Sequence, residues 1–259
     1  MTSDEQPRED AIKTDEKKQH FDDIYVQSDP VAFKEKIINE LDYVSDNFNR
    51  ETFNRLILPW TEKRSSAGKT IHYTDLCCSF GNTTLAILHK MTTDEIRSNW
   101  RDAETSATIQ KPRRAGFHTT GIDISENALS YGKAAGIFDQ TIQADLNALS
   151  GKKETEIEQT MEKSDLLVST ASLVYLELST IEKLIAAFAK PKREGFVLVN
   201  FLAPFSPEKA DATKRILLNH LEFVGSTASR HRLLSPLERE NYPDEKWSLL
   251  ELWVLRRKS

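Results

Sequence analysis

Cysteine is nearly absent: the 259-residue chain has two, and they are neighbours, Cys77 and Cys78. Adjacent thiols cannot cross-link distant segments and lack the spacing of a zinc site, which excludes a disulfide scaffold and suits a reducing, cytoplasmic setting. Long apolar runs are missing too. None approaches the roughly 20 residues a bilayer span needs, and residues 1–20 are too polar to be expected as a secretory signal. An excess of basic charge is likewise missing: the formal net charge is −5, without the clustered basic face that a phosphate backbone demands, so neither membrane nor nucleic acid is an expected partner. The six histidines, His20, His72, His89, His118, His220 and His231, are scattered, and no metal site is expected.

What is present is a globular composition, 39% hydrophobic and 29% charged, with its polar residues bunched. Residues 1–20 hold almost no large apolar side chain, so burial would not offset the entropy of ordering them, and a disordered tail is expected. From Phe21 to Trp60 aromatic and aliphatic residues recur at helical spacing. This predicts a helical extension over 21–66, with Asp29-Pro30 opening a helix at 31–41; it serves either as packing for the main domain or as a lid.

From residue 71 strand and helix patterns alternate. Strands are expected at 71–76, 117–124, 141–144, 166–169 and 196–201, with helices at 82–90, 126–135, 149–163, 181–189 and 207–220. Such alternation predicts an α/β fold with a mostly parallel sheet over 67–259. Residues 221–226 and 249–255 lack a crossover helix and should form an antiparallel hairpin at one edge. The intervening stretch 227–247, with Pro236 and Pro243, reads as a loop whose Arg230, His231, Arg232, Arg239 and Tyr242 either receive a substrate carboxylate or are simply solvated.

The chemistry-bearing stretch is Thr74-Asp75-Leu76-Cys77-Cys78-Ser79-Phe80-Gly81-Asn82-Thr83-Thr84. A strand runs into small residues at alternating positions, Cys77, Ser79 and Gly81, and then into a helix beginning Asn82-Thr83, so a ligand can approach the backbone closely. Thr120-Gly121-Ile122-Asp123-Ile124 ends the second strand in an acid placed for a ribose, or else capping the next helix. The acid lies about twice as far along as the ≈20 residues of a plain strand–helix–strand unit; the polar insertion 92–116 accounts for the excess. Gln143-Ala144-Asp145-Leu146 closes the third strand with another acid. Asp165-Leu166-Leu167-Val168-Ser169-Thr170-Ala171 opens a buried strand into small residues, followed by Tyr175.

In this order the motifs resemble the class I S-adenosylmethionine-dependent methyltransferases, over residues 71–256. The resemblance implies a Rossmann-like, mostly parallel seven-stranded sheet with an antiparallel C-terminal hairpin strand, S-adenosylmethionine as cofactor and a small-molecule acceptor. It places Asp75, Cys77, Cys78, Ser79 and Gly81 along the methionine portion, with Asn82 and Thr83 also among the cofactor-binding positions. Asp123 falls at the ribose, Asp145 and Leu146 at the adenine, and Ser169, Thr170 and Ala171 near the sulfonium, with Ile124 also expected to border the cofactor. The family's usual Asp-Leu-Gly-Cys-Gly-x-Gly is altered, with Cys77 and Ser79 where glycines are expected. Tyr175 and Asn200, at strand exits, are the catalytic candidates. The Asp/Asn-Pro-Pro-Tyr signature of DNA amine methylation is absent, as are the glycines of a nicotinamide dehydrogenase fingerprint. Two other activities share the cofactor: cyclisation of S-adenosylmethionine to azetidine-2-carboxylate with release of methylthioadenosine, as in synthases of similar fold, and non-catalytic binding.

Overall fold

The computed structural model describes residues 18–258; the expected tail lies outside them except for its last three residues. The extension forms α1 (Asp22–Tyr25), α2 (Val31–Phe33, running on as a π turn over Lys34–Asn39), α3 (Ser45–Leu56) and α4 (Leu58–Ser66). The Asp29 Oδ1 accepts the Val31 amide at 2.9 Å, and Pro30 is the residue preceding α2. The apolar stripe of this segment, with Ile24, Phe33, Ile37 and Ile38, packs on Phe80, Leu85 and Trp100 of the main body.

The main body is built of β1 (Ile71–Leu76), α5 (Asn82–Leu88), α6 (Thr93–Asn99), α7 (Ala103–Ser106), β2 (Phe117–Asp123), α8 (Glu126–Ala134), β3 (Gln140–Gln143), α9 (Gly151–Lys163), β4 (Leu166–Ser169), α10 (Leu178–Ala189), β5 (Phe196–Ala203), α11 (Pro207–His220), β6 (Leu221–Leu233), α12 (Pro236–Asn241) and β7 (Trp247–Arg257). The strand order is β3-β2-β1-β4-β5-β7-β6. The first five strands are parallel; β7 runs antiparallel to both β5 and β6. Strands buried on both faces need apolar residues at successive positions. On β5, Val197, Val199 and Phe201 join one core cluster while Phe196, Leu198 and Leu202 join the other.

Two expectations need correction. The stretch 227–247 is not a loop: β6 continues to Leu233, and Ser235-Pro236-Leu237-Glu238 opens α12 with a capping box, the Ser235 hydroxyl accepting the Glu238 amide. β6 is the edge strand, and its run of small and polar residues, Gly225 to Ser229, alternates between half-buried and exposed without an apolar face to betray it. The insertion 92–116 is not merely polar. It folds into α6 and α7 and buries Trp100 completely, edge-on to Phe33 at 5.8 Å and to Tyr131 at 6.4 Å.

Candidate functional site

The order β3-β2-β1-β4-β5 reverses between β1 and β4, and in such sheets the crevice outside the strands' carboxyl ends is where ligands bind. A cavity of ≈ 340 Å³ lies there, within the range that holds a small ligand. It gathers most of the sequence-derived positions: Asp75, Cys77, Cys78 and Ser79 from β1 and its turn, Asn82 and Thr83 from α5, Asp123 and Ile124 from β2. Asp145 and Leu146 follow β3, and Thr170, Ala171 and Tyr175 follow β4. Gly81, Ser169 and Asn200 do not line it. Gly81 serves the turn instead: it has φ +86°, and a Cβ there would stand 2.9 Å from Ile137 Cγ2. The Ser169 hydroxyl is sealed against that of Ser172 at 2.6 Å. Asn200 lies behind the wall, its Oδ1 accepting the Ala171 amide at 2.7 Å and so holding the β4 exit in place.

The first turn carries an unusual backbone. Cys77 has φ +53° and Ser79 φ +51°, the left-handed region that side chains enter at a cost of roughly 1–2 kcal/mol each. Asp123 braces this turn, with Oδ2 accepting the Ser79 amide at 2.8 Å and Oδ1 the Ser125 amide at 2.9 Å. Each carboxylate oxygen keeps a lone pair for a further donor. Burial raises the Asp75 pKa to about 7 despite the hydrogen bond from Thr84. Burial, with Asp123 and Asp75 nearby, also raises the Cys77 thiol well above its ordinary value, so it is a wall residue and not a thiolate.

The opposite wall comes from the extension and from the last strands, both expected regions, but the parts played by Lys18 and Asp46 had no local signal. Tyr43 reaches the cavity from the turn before α3, and beneath it Asp46 is wholly buried. The Asp46 carboxylate accepts from the Tyr43 hydroxyl at 3.1 Å, from Asn82 Nδ2 at 3.0 Å and from the Thr83 hydroxyl at 3.3 Å, so it clamps the extension to the start of α5. Lys18 hydrogen-bonds the Tyr175 hydroxyl, its ammonium 4.4 Å from the ring centre. Tyr175 itself is pushed up to about 12, chiefly by burial. The segment from Lys18 to Tyr25 crosses the cavity and is tied at both ends: the Gln19 amide donates to Glu238 at 3.1 Å, and Ser125 Oγ donates to the Tyr25 carbonyl at 2.7 Å.

Of the residues expected to receive a carboxylate, Arg230, Arg232 and Tyr242 are otherwise engaged, and Arg239 is exposed outside the cavity lining. Arg232 lines the cavity but is forked onto Glu238, both bonds 2.7 Å, with both side chains buried. Arg230 lies over Trp247, and Tyr242 packs on Phe205. The cavity therefore presents the carboxyl groups of Asp22, Asp123 and Asp145, with Asp75 protonated up to about pH 7, together with aromatic faces from Phe21, Tyr25, Phe33, Tyr43 and Tyr175. Such a lining suits a ligand that carries positive charge and a flat ring. Among the described residues no His, Cys, Asp and Glu cluster can hold a metal, and no helix is long and apolar enough to cross a membrane.

The seven-stranded order with an antiparallel β7 is the class I methyltransferase fold. No known family model matches the chain, and no curated protein matches it. Among solved structures it is similar to magnesium protoporphyrin IX methyltransferase from Synechocystis PCC 6803, crystallised with S-adenosylmethionine, at 15% identity over 81% of this chain and 79% of that one, TM-score 0.43. It is also similar to geranyl diphosphate C-methyltransferase from Streptomyces coelicolor A3(2), at 11% identity over 74% and 72%, TM-score 0.42. A third is a TehB-like methyltransferase from Corynebacterium glutamicum, at 15% identity over 81% and 98%, TM-score 0.39.

Proposed function

We propose that the chain binds S-adenosylmethionine in this cavity and transfers its methyl group to a small-molecule acceptor. The observation that carries the reading is Asp123 at the tip of β2, bracing the strained first turn while keeping an acceptor site on each oxygen. The residues fit the cofactor: Asp123 holds the ribose hydroxyls, Asp145 and Leu146 with exposed Ile124 take the adenine, and Asp75, Cys77 and Ser79 border the amino-acid end. When bound, the cofactor supplies an electrophilic methyl group on a sulfonium. The chain's part is positioning, worth ≈ 7–11 kcal/mol when the reactants are held in near-attack geometry. Tyr175 offers a ring face to positive charge and a hydroxyl to orient the acceptor, and Asn200 acts through the backbone of Ala171.

A second reading, cyclisation of the cofactor, is favoured by one observation: Cys77 and Ser79 keep side chains on left-handed backbone bordering the amino-acid end, which narrows that end. One assay separates the two. The purified protein is incubated with S-adenosylmethionine alone and with small phenols, alcohols, acids and amines, and the nucleoside product is identified by mass spectrometry. Adenosylhomocysteine that requires an acceptor is expected; methylthioadenosine without one selects cyclisation, and no turnover would refute both.

A further inference from the structure

We propose that His231 is a catalytic residue of this cavity, its Nε2 accepting the proton of a hydroxyl-bearing acceptor as that oxygen is methylated. The inference rests on the methyl-transfer reading. The backbone aims this side chain deliberately. Along the β6–β7 ladder Arg230 faces Leu249 and Arg232 faces Ser248, so His231 is the extra residue of a β-bulge, a device that redirects a side chain and recurs beside active sites. The bulge interrupts the alternation of the edge strand and leaves His231 and Arg232 both buried in succession, at 4% and 2% exposure. Both line the cavity.

The ring is fixed from behind. Its Nδ1 lies 2.6 Å from Ser45 Oγ, its carbonyl accepts the Val44 amide at 3.0 Å, and Tyr43 packs edge-on at 5.3 Å. Nε2 has no hydrogen-bond partner among the described residues. With the Nδ1 proton given to Ser45, Nε2 presents a lone pair to the cavity. Burial, then Arg232 and Lys18, hold the imidazole well below its ordinary pKa, so the ring is neutral and a weak base. The groups facing it are Tyr43 from the extension, Arg232 paired with Glu238, and Lys18. A carboxylate needs no base and an amine must shed its proton before it attacks, so a base that acts as the new bond forms points to a neutral hydroxyl, a phenol or an alcohol, as the acceptor class. A weak base suffices, because a hydroxyl oxygen acquiring its third bond takes on oxonium character and its proton becomes far more acidic. In the step the oxygen donates a pair to the methyl carbon, the methyl–sulfur pair stays on sulfur, and the O–H bond breaks with its pair left on oxygen while the proton bonds to Nε2.

Nitrogen-15 NMR of histidine-labelled full chain tests this without cofactor. The His231 resonance, assigned by its loss in His231→Gln, is expected as the neutral Nδ1-protonated tautomer, and Ser45→Ala is expected to shift it toward the Nε2-protonated form. An Nε2-protonated ring, or an imidazolium at pH 7, overturns the proposal. In turnover, His231→Gln is expected to slow methylation of phenols and alcohols at least 10²-fold with adenosylhomocysteine affinity by calorimetry unchanged, and Ser45→Ala to slow it about tenfold. Equal rates overturn the proposal. A wild type that methylates only amines or carboxylates overturns it while leaving the methyl-transfer reading intact; a folded wild type that does not bind adenosylhomocysteine overturns both.

Discussion

Replacing Ser79 by glycine should make the protein more stable and bind its ligand less well. The wild-type residue sits at φ +51°, at a cost of roughly 1–2 kcal/mol for an L-residue. Its buried hydroxyl makes no hydrogen bond of normal geometry, which adds a desolvation cost of order 1 kcal/mol. Glycine removes both costs and keeps the amide that donates to Asp123, while its greater freedom in the unfolded chain costs back roughly 0.5–1 kcal/mol. The balance is a gain of roughly 1–2.5 kcal/mol, which for a chain of this size is a rise of about 2–10 °C in Tm. Calorimetric unfolding of the ligand-free proteins reads it directly. Calorimetric titration of adenosylhomocysteine should then show affinity reduced about three- to tenfold, the worth of one neutral hydrogen bond. Cys77→Gly should gain less, because the Cys77 side chain packs against the core. A Ser79→Gly protein with unchanged or lower Tm would refute the argument that the turn stores strain for the sake of its ligand.

Tyr175→Phe should lose turnover by at least tenfold while adenosylhomocysteine affinity stays within about twofold; an unchanged rate would remove the hydroxyl from the mechanism. Glu238→Gln should lower unfolding free energy by about 3–5 kcal/mol, because Arg232 would be left buried without its carboxylate; denaturant unfolding at pH 7 checks this, and a loss below about 1 kcal/mol would contradict it. Burial keeps Asp75 protonated in the folded chain up to about pH 7, whereas it ionises near 3.8 when unfolded. Between those values the unfolded state releases the proton first, so the Asp75 contribution makes stability fall as pH rises from about 4 to about 7 and level off above. Asp75→Asn should flatten that segment of the stability–pH curve; an unaltered slope would show that the carboxyl is ionised in the fold.

The parts of the site that lie at strand tips were legible in the sequence, because a strand, a run of small residues and a helix start leave a local signature. Asp75, Cys77, Ser79, Asp123, Asp145 and Thr170 stand together at one sheet edge for that reason. The bounds of α11 and β4 were equally plain, from Pro207 and from an unbroken apolar run. What the sequence hid is carried by long-range pairs and by residues that lack periodicity. Asp46 meets Asn82 across the fold, Lys18 reaches Tyr175 from a segment with few apolar residues, and His231 owes its orientation to a bulge that no alternation announces. The Ser235-x-x-Glu238 capping box is a local signal for α12, masked by the two prolines of the same stretch. Asn200 stands at the expected strand exit with its side chain on the Ala171 amide behind the wall, because residues on a strand tip face either the crevice or the layer behind it.

The central claim, a cofactor site clasped by Asp123, is tested most directly by titrating S-adenosylhomocysteine into the wild type and into Asp123→Ala by calorimetry, with folding of both checked by circular dichroism. Saturable one-site binding to the wild type and none to a folded Asp123→Ala is expected. A folded wild type that gives no binding, or a variant that binds equally well, would contradict the account.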